Sequence, residues 1–501
     1  MSSDKQPRDL LAEPLWRHGD LGAPMPDLPH ANSVCLPAWQ DVVDYEEKRA
    51  RVMNRLRAGY PRFVVPPPCA RLFEKARGIF CEPGEACHAY PTRAAAERCV
   101  ERIGAWSGAA ARVEPWPAFK LWVVCFPDTA AEAALKYWRH TGDGISSRCA
   151  QTLLDGATEP DADAAKTTVR ARIASAAGVD PNDVYLFKSG MAALFTLYRA
   201  LRRMHPGRAL VQLGFPYVDT LKILQDFGAP HVFLPKADAA DIDRLAAVCD
   251  EAPPAGLFGE FPSNPVLTSA DLAAVRSLSL QHGFPVIIDD TISTWTNVDL
   301  RPVADVVVTS LTKWFTGRGD VMAGSAVLNP QSPFAREFRA AIEAEYEDCT
   351  WGESILLAEA LSRDADERVR RASATALEVA EWLRAQPGVE AVYYPRFQHR
   401  DLYDRYRRPD GGYGGLFSFV LKDPARTSAR FYDALELCKG PNLGTTFSLC
   451  CPFTLLAHYG ELDWAESCGV SRWLLRLSIG QEPAKILIDR LSRALARVGN
   501  V

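Results

Sequence analysis

The chemistry of this chain can be read outward from Lys313. It stands in Ser310-Leu311-Thr312-Lys313, directly after the run Val306-Val307-Val308-Thr309 and before Gly317 and Asp320. A short apolar β-branched run reads as a buried strand. Open α/β sheets bind their ligands just beyond the carboxyl ends of such strands. A lysine partly buried there loses basicity, and a neutral amine attacks carbonyls to form a Schiff base. Ser310 and Thr312 add two hydroxyls suited to a phosphate. A lysine and phosphate donors together point to pyridoxal phosphate (PLP) carried on Lys313. A surface lysine after a core strand fits this stretch alone equally well.

Other residues extend the PLP reading. Ser189-Gly190-Met191 follows an apolar strand and opens an amphipathic helix. A glycine there admits a ligand to the backbone, and the free N–H groups of a first helical turn attract an anion. Asp289 ends the strand Val286-Ile287-Ile288. A buried carboxylate there needs a cationic partner, and a protonated pyridine nitrogen is one. Its neighbour Asp290 reads as a cap. Glu260 ends another strand, and Asn264, a turn residue between Ser263 and Pro265, can donate to a ring oxygen. Tyr217 opens a helix and serves either as a wall stacked on the cofactor or as core. Arg476 sits in Leu474-Leu475-Arg476-Leu477. Its planar fork suits a substrate carboxylate, against the alternative of an internal salt bridge.

The elements that must position these residues follow from the pattern. From residue 165 onward helices and strands alternate, which predicts a mostly parallel sheet between helices, an α/β fold. Residues 389–501 read as a smaller α+β domain. Residues 1 to about 30 read as an extended arm, and the stretch from there to 127 as a small α+β domain without a catalytic constellation. In that stretch a helix is expected over 39–57, a strand over 62–65 and a break at the prolines 66–68. The segment after 128, which contains Tyr137 and Arg139, reads as a loop-like connector. The expected domains are 1–128, 129–385 (with the connector 129–160) and 386–501.

Composition narrows the class. The chain has 501 residues, a formal net charge of -5 and no basic block, so neither nucleic acid nor an anionic membrane is expected as partner. No apolar run approaches the roughly 18 residues of a membrane span. The first residues lack the apolar core of a signal peptide. Thirteen cysteines, an odd number in a long chain, argue against a disulfide framework and for a reduced, cytoplasmic setting. Cys81, Cys87, His88 and Cys99 fit no zinc template, and no metal is expected. Cys450-Cys451 reads as a pair of small buried hydrophobes.

Taken together, Ser189-Gly190-Met191-Ala192-Ala193, residues 260–265, Asp289 to Thr291, Ser310 to Lys313 with Gly317 and Asp320, Leu443-Gly444 and residues 476–480 resemble the cystathionine γ-synthase family of Cys/Met-metabolism PLP enzymes. They occur in family order over about residues 135–500. Leu36-Pro37-Ala38-Trp39, residues 59–63, residues 438–444 and residues 455–459 resemble the long form met mainly in fungi. The resemblance implies PLP fold type I with an N-terminal extension. It implies catalytic roles for Lys313, Tyr217 and Asp289. It implies cofactor contacts for Ser189, Gly190, Met191, Tyr217, Asn264, Asp289, Ser310, Thr312 and Lys313. Glu260, Asn442 and Arg476 would meet the substrate. Tyr137 and Arg139 match a Tyr-x-Arg pair that reaches the PLP phosphate of a neighbouring subunit, which implies a dimer with shared sites and typically a tetramer. The chain departs from the family at Tyr217-Val218-Asp219-Thr220 (usually Tyr-Gly-Gly-Thr, but as here in the long form), at Arg318 (usually His), and at Pro441-Asn442 (often acidic, then Ser).

The expected activity is γ-replacement on an O-acyl-L-homoserine, with cysteine as nucleophile in the transsulfuration route to methionine. The alternatives are a carbon or nitrogen nucleophile in specialised biosynthesis, a cystathionine or methionine γ-lyase, and a catalytically silent PLP-fold binding protein.

Overall fold

The computed structural model describes residues 8–61 and 63–499. The amino-terminal heptapeptide and Arg62 of the 59–63 motif lie outside the described residues. Two short helices, α1 (Trp39–Glu46) and α2 (Ala50–Met53), come first, and α3 (Pro67–Phe80) follows. The prolines do not break the chain. Pro66 is the N-cap of α3, and Pro67 and Pro68 occupy its first turn, where the missing N–H costs nothing and the fixed φ is already helical. Residues 63–65 form no strand. A three-stranded antiparallel sheet is built from β1 (Glu85–Tyr90), β2 (Arg112–Trp116) and β3 (Leu121–Pro127), with α4 (Arg93–Ser107) between the first two.

The connector is helical, not a loop: α5 spans Ala131–Thr141 and α6 spans Ser147–Leu154. Its apolar and polar residues alternate with helical spacing, so one face packs inward while the other meets the site. Nor is the described part of the expected arm, from residue 8, free. Leu10, Leu15, Ala23, Met25 and Cys35 pack with Cys438, Phe447 and Leu449. The Leu36 N–H donates to the Lys439 carbonyl at 2.9 Å. The Tyr432 hydroxyl donates to the Leu36 carbonyl at 2.8 Å.

After α7 (Asp163–Ala177), a seven-stranded sheet carries the middle of the chain. In chain order its elements are β4 (Val184–Phe187), α8 (Gly190–Met204), β5 (Leu210–Leu213), α9 (Val218–Asp226), β6 (His231–Leu234), β7 (Gly256–Glu260), β8 (Val286–Asp289), β9 (Val306–Thr309) and β10 (Gly324–Leu328). The spatial order is β4-β10-β9-β8-β7-β5-β6, parallel from β9 to β6, with β10 antiparallel to both neighbours. Leu194, Leu197 and Leu201 of α8 cover one face over Phe258, Ile287 and Val308. Leu272 and Val275 cover the other over Leu257 and Ile288. Strands buried on both faces are continuous in Val, Ile and Leu, as these are.

A five-stranded sheet follows: β11 (Val389–Tyr393), β12 (Leu416–Leu421), β13 (Cys438–Lys439), β14 (Leu449–Pro452) and β15 (Leu475–Ser478). No described helix is long and apolar enough to cross a membrane.

Candidate active site

The parallel register sets the floor of the site. Glu260, last in β7, is the direct partner of Asp289, last in β8, and Asp289 pairs with Val308 of β9. Three strands therefore end side by side. Just beyond them a cavity of about 690 Å³ opens, lined by Glu260, Asp289, Ser310 and Lys313 among others.

Two half-buried carboxylates in one register row repel each other. Burial first, and then the charge of Asp289, push the Glu260 carboxyl well above its usual range. Burial likewise raises Asp289, although the Thr291 N–H bonded to its Oδ1 at 2.8 Å opposes this. The Tyr217 N–H donates to Glu260 Oε1 at 2.5 Å, which ties the start of α9 to this floor. Asp290 points elsewhere. Its Oδ1 accepts from the Thr309 hydroxyl at 2.5 Å, and burial pushes it up to about 8.

Lys313 is 8% exposed. Its amine donates to Asn442 Oδ1 at 2.5 Å and lies 3.3 Å from the Tyr60 hydroxyl and 4.6 Å from the centre of that ring. Arg476, from β15, is 4% exposed. Its guanidinium donates to Asn264 Oδ1 at 3.1 Å and to the Asn442 carbonyl at 3.4 Å, and packs over Phe453 at 4.6 Å. Both oxygens belong to neutral amides. Among the described residues no carboxylate is bonded to this cation, so the reading of Arg476 as half of an internal salt bridge does not hold.

At one end of the cavity, Ser189 caps α8, its hydroxyl accepting from the Ala192 N–H at 3.1 Å. Gly190, Met191 and Ser310 line the wall beside it. A side chain at 190 would begin 3.0 Å from Ser310 Cβ, so a larger residue there would press the first turn of α8 away from the end of β9. Tyr217, Asn264 and Arg139 also face the cavity.

Two expected cofactor contacts lie elsewhere. Tyr137 is 0% exposed and sits in the core with Tyr90, Phe195 and Phe227. Its hydroxyl donates to Asp143 Oδ2 at 2.6 Å. On helix α5, residues 137 and 139 point to different sides: Arg139 lines the cavity of its own chain, and Tyr137 is buried within that chain. Thr312 is turned to β10, with its hydroxyl donating to the Ala323 carbonyl at 3.2 Å and accepting from the Ala323 N–H at 3.1 Å. Asn442 is 1% exposed and meets Lys313 directly.

The sequence reading missed what the amino-terminal region contributes. Tyr45, Glu46, Lys48, Tyr60 and Phe63 all line the cavity. Burial pushes Glu46 up to about 7 and lowers the amine of Lys48. The signal available was the 59–63 motif, whose tyrosine carried no assigned role. It also missed His140, whose Nδ1 lies 2.7 Å from Asp219 Oδ1 in the cavity wall.

Residues 163–496 match the family model of the Cys/Met metabolism PLP-dependent enzymes, and residues 68–146 match the fungal trans-sulfuration enzyme N-terminal domain. The chain is 32% identical to a cystathionine gamma-synthase of Neurospora crassa, over 95% of this chain and 98% of that one. It is 35% identical to the cystathionine gamma-synthase-like protein ankD of Aspergillus thermomutatus, over 95% and 94%. It is 32% identical to an L-2-amino-4-chloropent-4-enoate dechlorinase/desaturase of Streptantibioticus cattleyicolor, over 93% and 96%. The fold is shared with the cystathionine gamma synthase of Xanthomonas oryzae solved with cystathionine: TM-score 0.59 and 24% identity, over 66% of this chain and 86% of that one. The chain belongs to the Cys/Met metabolism family of PLP-dependent enzymes, as a cystathionine γ-synthase-like member.

Proposed function

We propose that the chain catalyses γ-replacement on an O-acyl-L-homoserine, with cysteine as the first nucleophile to test. The observation that carries the reading is the Arg476–Lys313 arrangement. A buried guanidinium bonded to the amide oxygens of Asn264 and Asn442, and to no carboxylate among the described residues, stands across Asn442 from a buried lysine amine. That spacing suits an amino acid whose carboxylate is gripped at one end and whose α-carbon meets the amine.

The residues fit PLP on the geometry of the cup and the floor. The first turn of α8, capped by Ser189 and closed against Ser310 at Gly190, offers N–H groups and a hydroxyl to a phosphate. The two destabilised carboxylates at the ends of β7 and β8 suit a ring nitrogen that carries a proton, and Asp289 would face it. Tyr217 would form the ring wall and Asn264 would reach its edge. Asn442 Nδ2 is buried with no hydrogen-bond partner, a donor left for an occupant. When bound, PLP supplies the electron sink that makes the α- and β-protons of an amino acid labile.

The chain's own residues divide the remaining work. Arg476 and the Asn442 segment would hold and orient the carboxylate, which lowers the entropy cost of reaction. Lys313 Nζ takes the proton from the substrate α-carbon and moves protons to and from the β-carbon. Asn442 Oδ1 and the Tyr60 hydroxyl keep that amine aimed. Tyr45, Tyr60 and Phe63 screen the cavity from water, so the activated carbon waits for the second substrate.

The wall at Pro441-Asn442 favours a second reading, a nucleophile other than cysteine, because it lacks the acidic and serine residues usual there. Purified enzyme incubated with O-acetyl- or O-succinylhomoserine and a panel of thiol, amine and carbon nucleophiles, with products weighed by mass spectrometry, decides between them. Slow 2-oxobutyrate release from the O-acylhomoserine alone, suppressed by the right nucleophile, supports replacement. Dominant 2-oxobutyrate release with every nucleophile, together with cleavage of cystathionine, makes the enzyme a lyase. No reaction and no visible absorbance with PLP makes it a silent binder.

A further inference from the structure

The cavity wall holds a carboxylate–imidazole pair that the reaction above does not use. His140, near the end of α5, and Asp219, in the first turn of α9, are both buried and both line the cavity. His140 Nδ1 is 2.7 Å from Asp219 Oδ1. Asp219 stands where the general family motif has glycine, as in the long form, and it is the side chain that meets the imidazole. A carboxylate in the first turn of a helix is favoured in its ionised form. An ionised carboxylate only accepts, so Nδ1 carries a proton, and in the neutral ring Nε2 has the lone pair. This is the arrangement by which a carboxylate fixes the tautomer of a catalytic histidine.

The surroundings place this ring in the wall of the cavity that also holds Lys313, on the side of the α8 cup. Gly142, two residues on, packs so tightly on Ser189 that a side chain there would begin 2.5 Å from the Ser189 hydroxyl. Tyr217, two residues before Asp219, is bonded to Glu260. Outward from the pair, Lys222 binds Glu461 at 3.1 Å and Lys136 binds Asp226 at 2.9 Å. These two lysines of the lining are paired with carboxylates, while Glu46, Lys48 and Arg139 also line the cavity, so the imidazole is one of its titratable groups.

We propose that His140, aligned by Asp219, is the general base that takes the proton from the second substrate; this rests on the replacement reading. Lys313 is committed to the protons of the first substrate, so the second needs its own acceptor. The acyloxy group leaves the γ-carbon as a carboxylate with the C–O electron pair. The nucleophile's electron pair forms the new bond to that carbon. Its proton passes to His140 Nε2 and then to solvent, and the histidine returns to its starting state. The substrate class is a nucleophile that is still protonated near neutral pH, such as an alkyl thiol, whose pKa is about 8.5.

The test uses the PLP-loaded enzyme, an O-acylhomoserine, and thiols of graded acidity at one pH. The readout is the ratio of γ-substituted product to 2-oxobutyrate. His140→Gln is expected to lower that ratio about a hundredfold for an alkyl thiol, and by much less for a thiol already ionised at the assay pH. Asp219→Asn, which removes the tautomer lock and leaves the ring, is expected to give a smaller loss with the same dependence on thiol acidity. An equal loss for every thiol in both variants overturns the proposal. So does a His140→Gln protein whose main defect is weakened PLP binding by absorbance titration, since the ring would then belong to the phosphate cup. If the unmodified enzyme makes no substituted product with any thiol, the replacement reading itself has failed, and that result is distinct from either.

Discussion

Replacing Arg476 by alanine tests the substrate grip most directly. The guanidinium is 4% exposed, and its bonded oxygens are those of Asn264 and Asn442. A hydrogen bond to a charged group contributes about 1.5–3 kcal/mol. At 1.4 kcal/mol per tenfold, one lost carboxylate contact raises KM for the O-acylhomoserine about 10- to 150-fold. The effect on kcat is expected to be smaller, because Lys313 keeps its own bond to Asn442 Oδ1 at 2.5 Å. Arg476→Lys retains a charge but presents no fork, so it should recover only part of the loss. The assay is steady-state kinetics against the acylated substrate at a saturating nucleophile concentration, with PLP absorbance confirming a loaded site. An Arg476→Ala enzyme with KM within twofold of the parent and kcat lowered would refute the reasoning. The arginine would then be a brace for Asn264 and Asn442.

Three further outcomes are expected. Lys313→Ala should abolish turnover and the visible absorbance of covalently held PLP while the fold survives; an unchanged spectrum would remove Lys313 from its role. Tyr60→Phe keeps the ring beside Lys313 but deletes the hydroxyl 3.3 Å from its amine; loss of one net hydrogen bond, roughly 0.5–1.5 kcal/mol, should lower kcat about 2- to 12-fold with KM nearly held, and a pure KM effect would count against it. Asp290 has its pKa raised by burial from 3.8 to about 8, so the folded chain prefers it protonated. Its contribution to stability is full below about 4 and is lost as pH rises to about 8. Asp290→Asn should therefore gain stability relative to the parent across that window, by thermal unfolding of the PLP-free protein; a difference that does not change with pH would show that Asp290 is ionised throughout.

The large sheet was legible in the sequence because its strands are short, apolar and separated by amphipathic helices, and the chemistry stands at their ends. Glu260, Asp289 and Lys313 were each read from a strand terminus, and the register brings them together. Two kinds of residue were not legible. Helix α5 was mistaken for a loop because its Gly142 and polar residues hide an inward face made by Ala134, Tyr137 and Trp138. With the helix unrecognised, it was not legible that Tyr137 and Arg139 leave its axis on different sides. Thr312 was paired with Ser310 by proximity in sequence, yet the turn after β9 sends its hydroxyl to Ala323. Tyr60 and the His140–Asp219 pair were missed because each depends on a contact between distant segments, and no local period announces it.

The docking of the first residues on the last sheet has a consequence for how the chain is made. The Leu15 N–H is bonded to Cys438 Sγ across 423 residues, and Lys439 Nζ to the Pro37 carbonyl across 402. On the ribosome the amino-terminal segment emerges first, but the surface that receives it emerges almost last. Until then Leu10, Leu15 and Met25 lack Cys438, Phe447 and Leu449, the carboxy-terminal part of their cluster. Tyr60, which belongs beside Lys313, hangs from a segment whose anchor has not been synthesised. The seven-stranded sheet, complete at Leu328, can fold while translation continues. The enclosed cavity cannot, so the nascent chain carries its phosphate cup well before it can bind an amino acid. A released fragment that lacks β15 would retain the cup and have no Arg476 with which to hold a substrate.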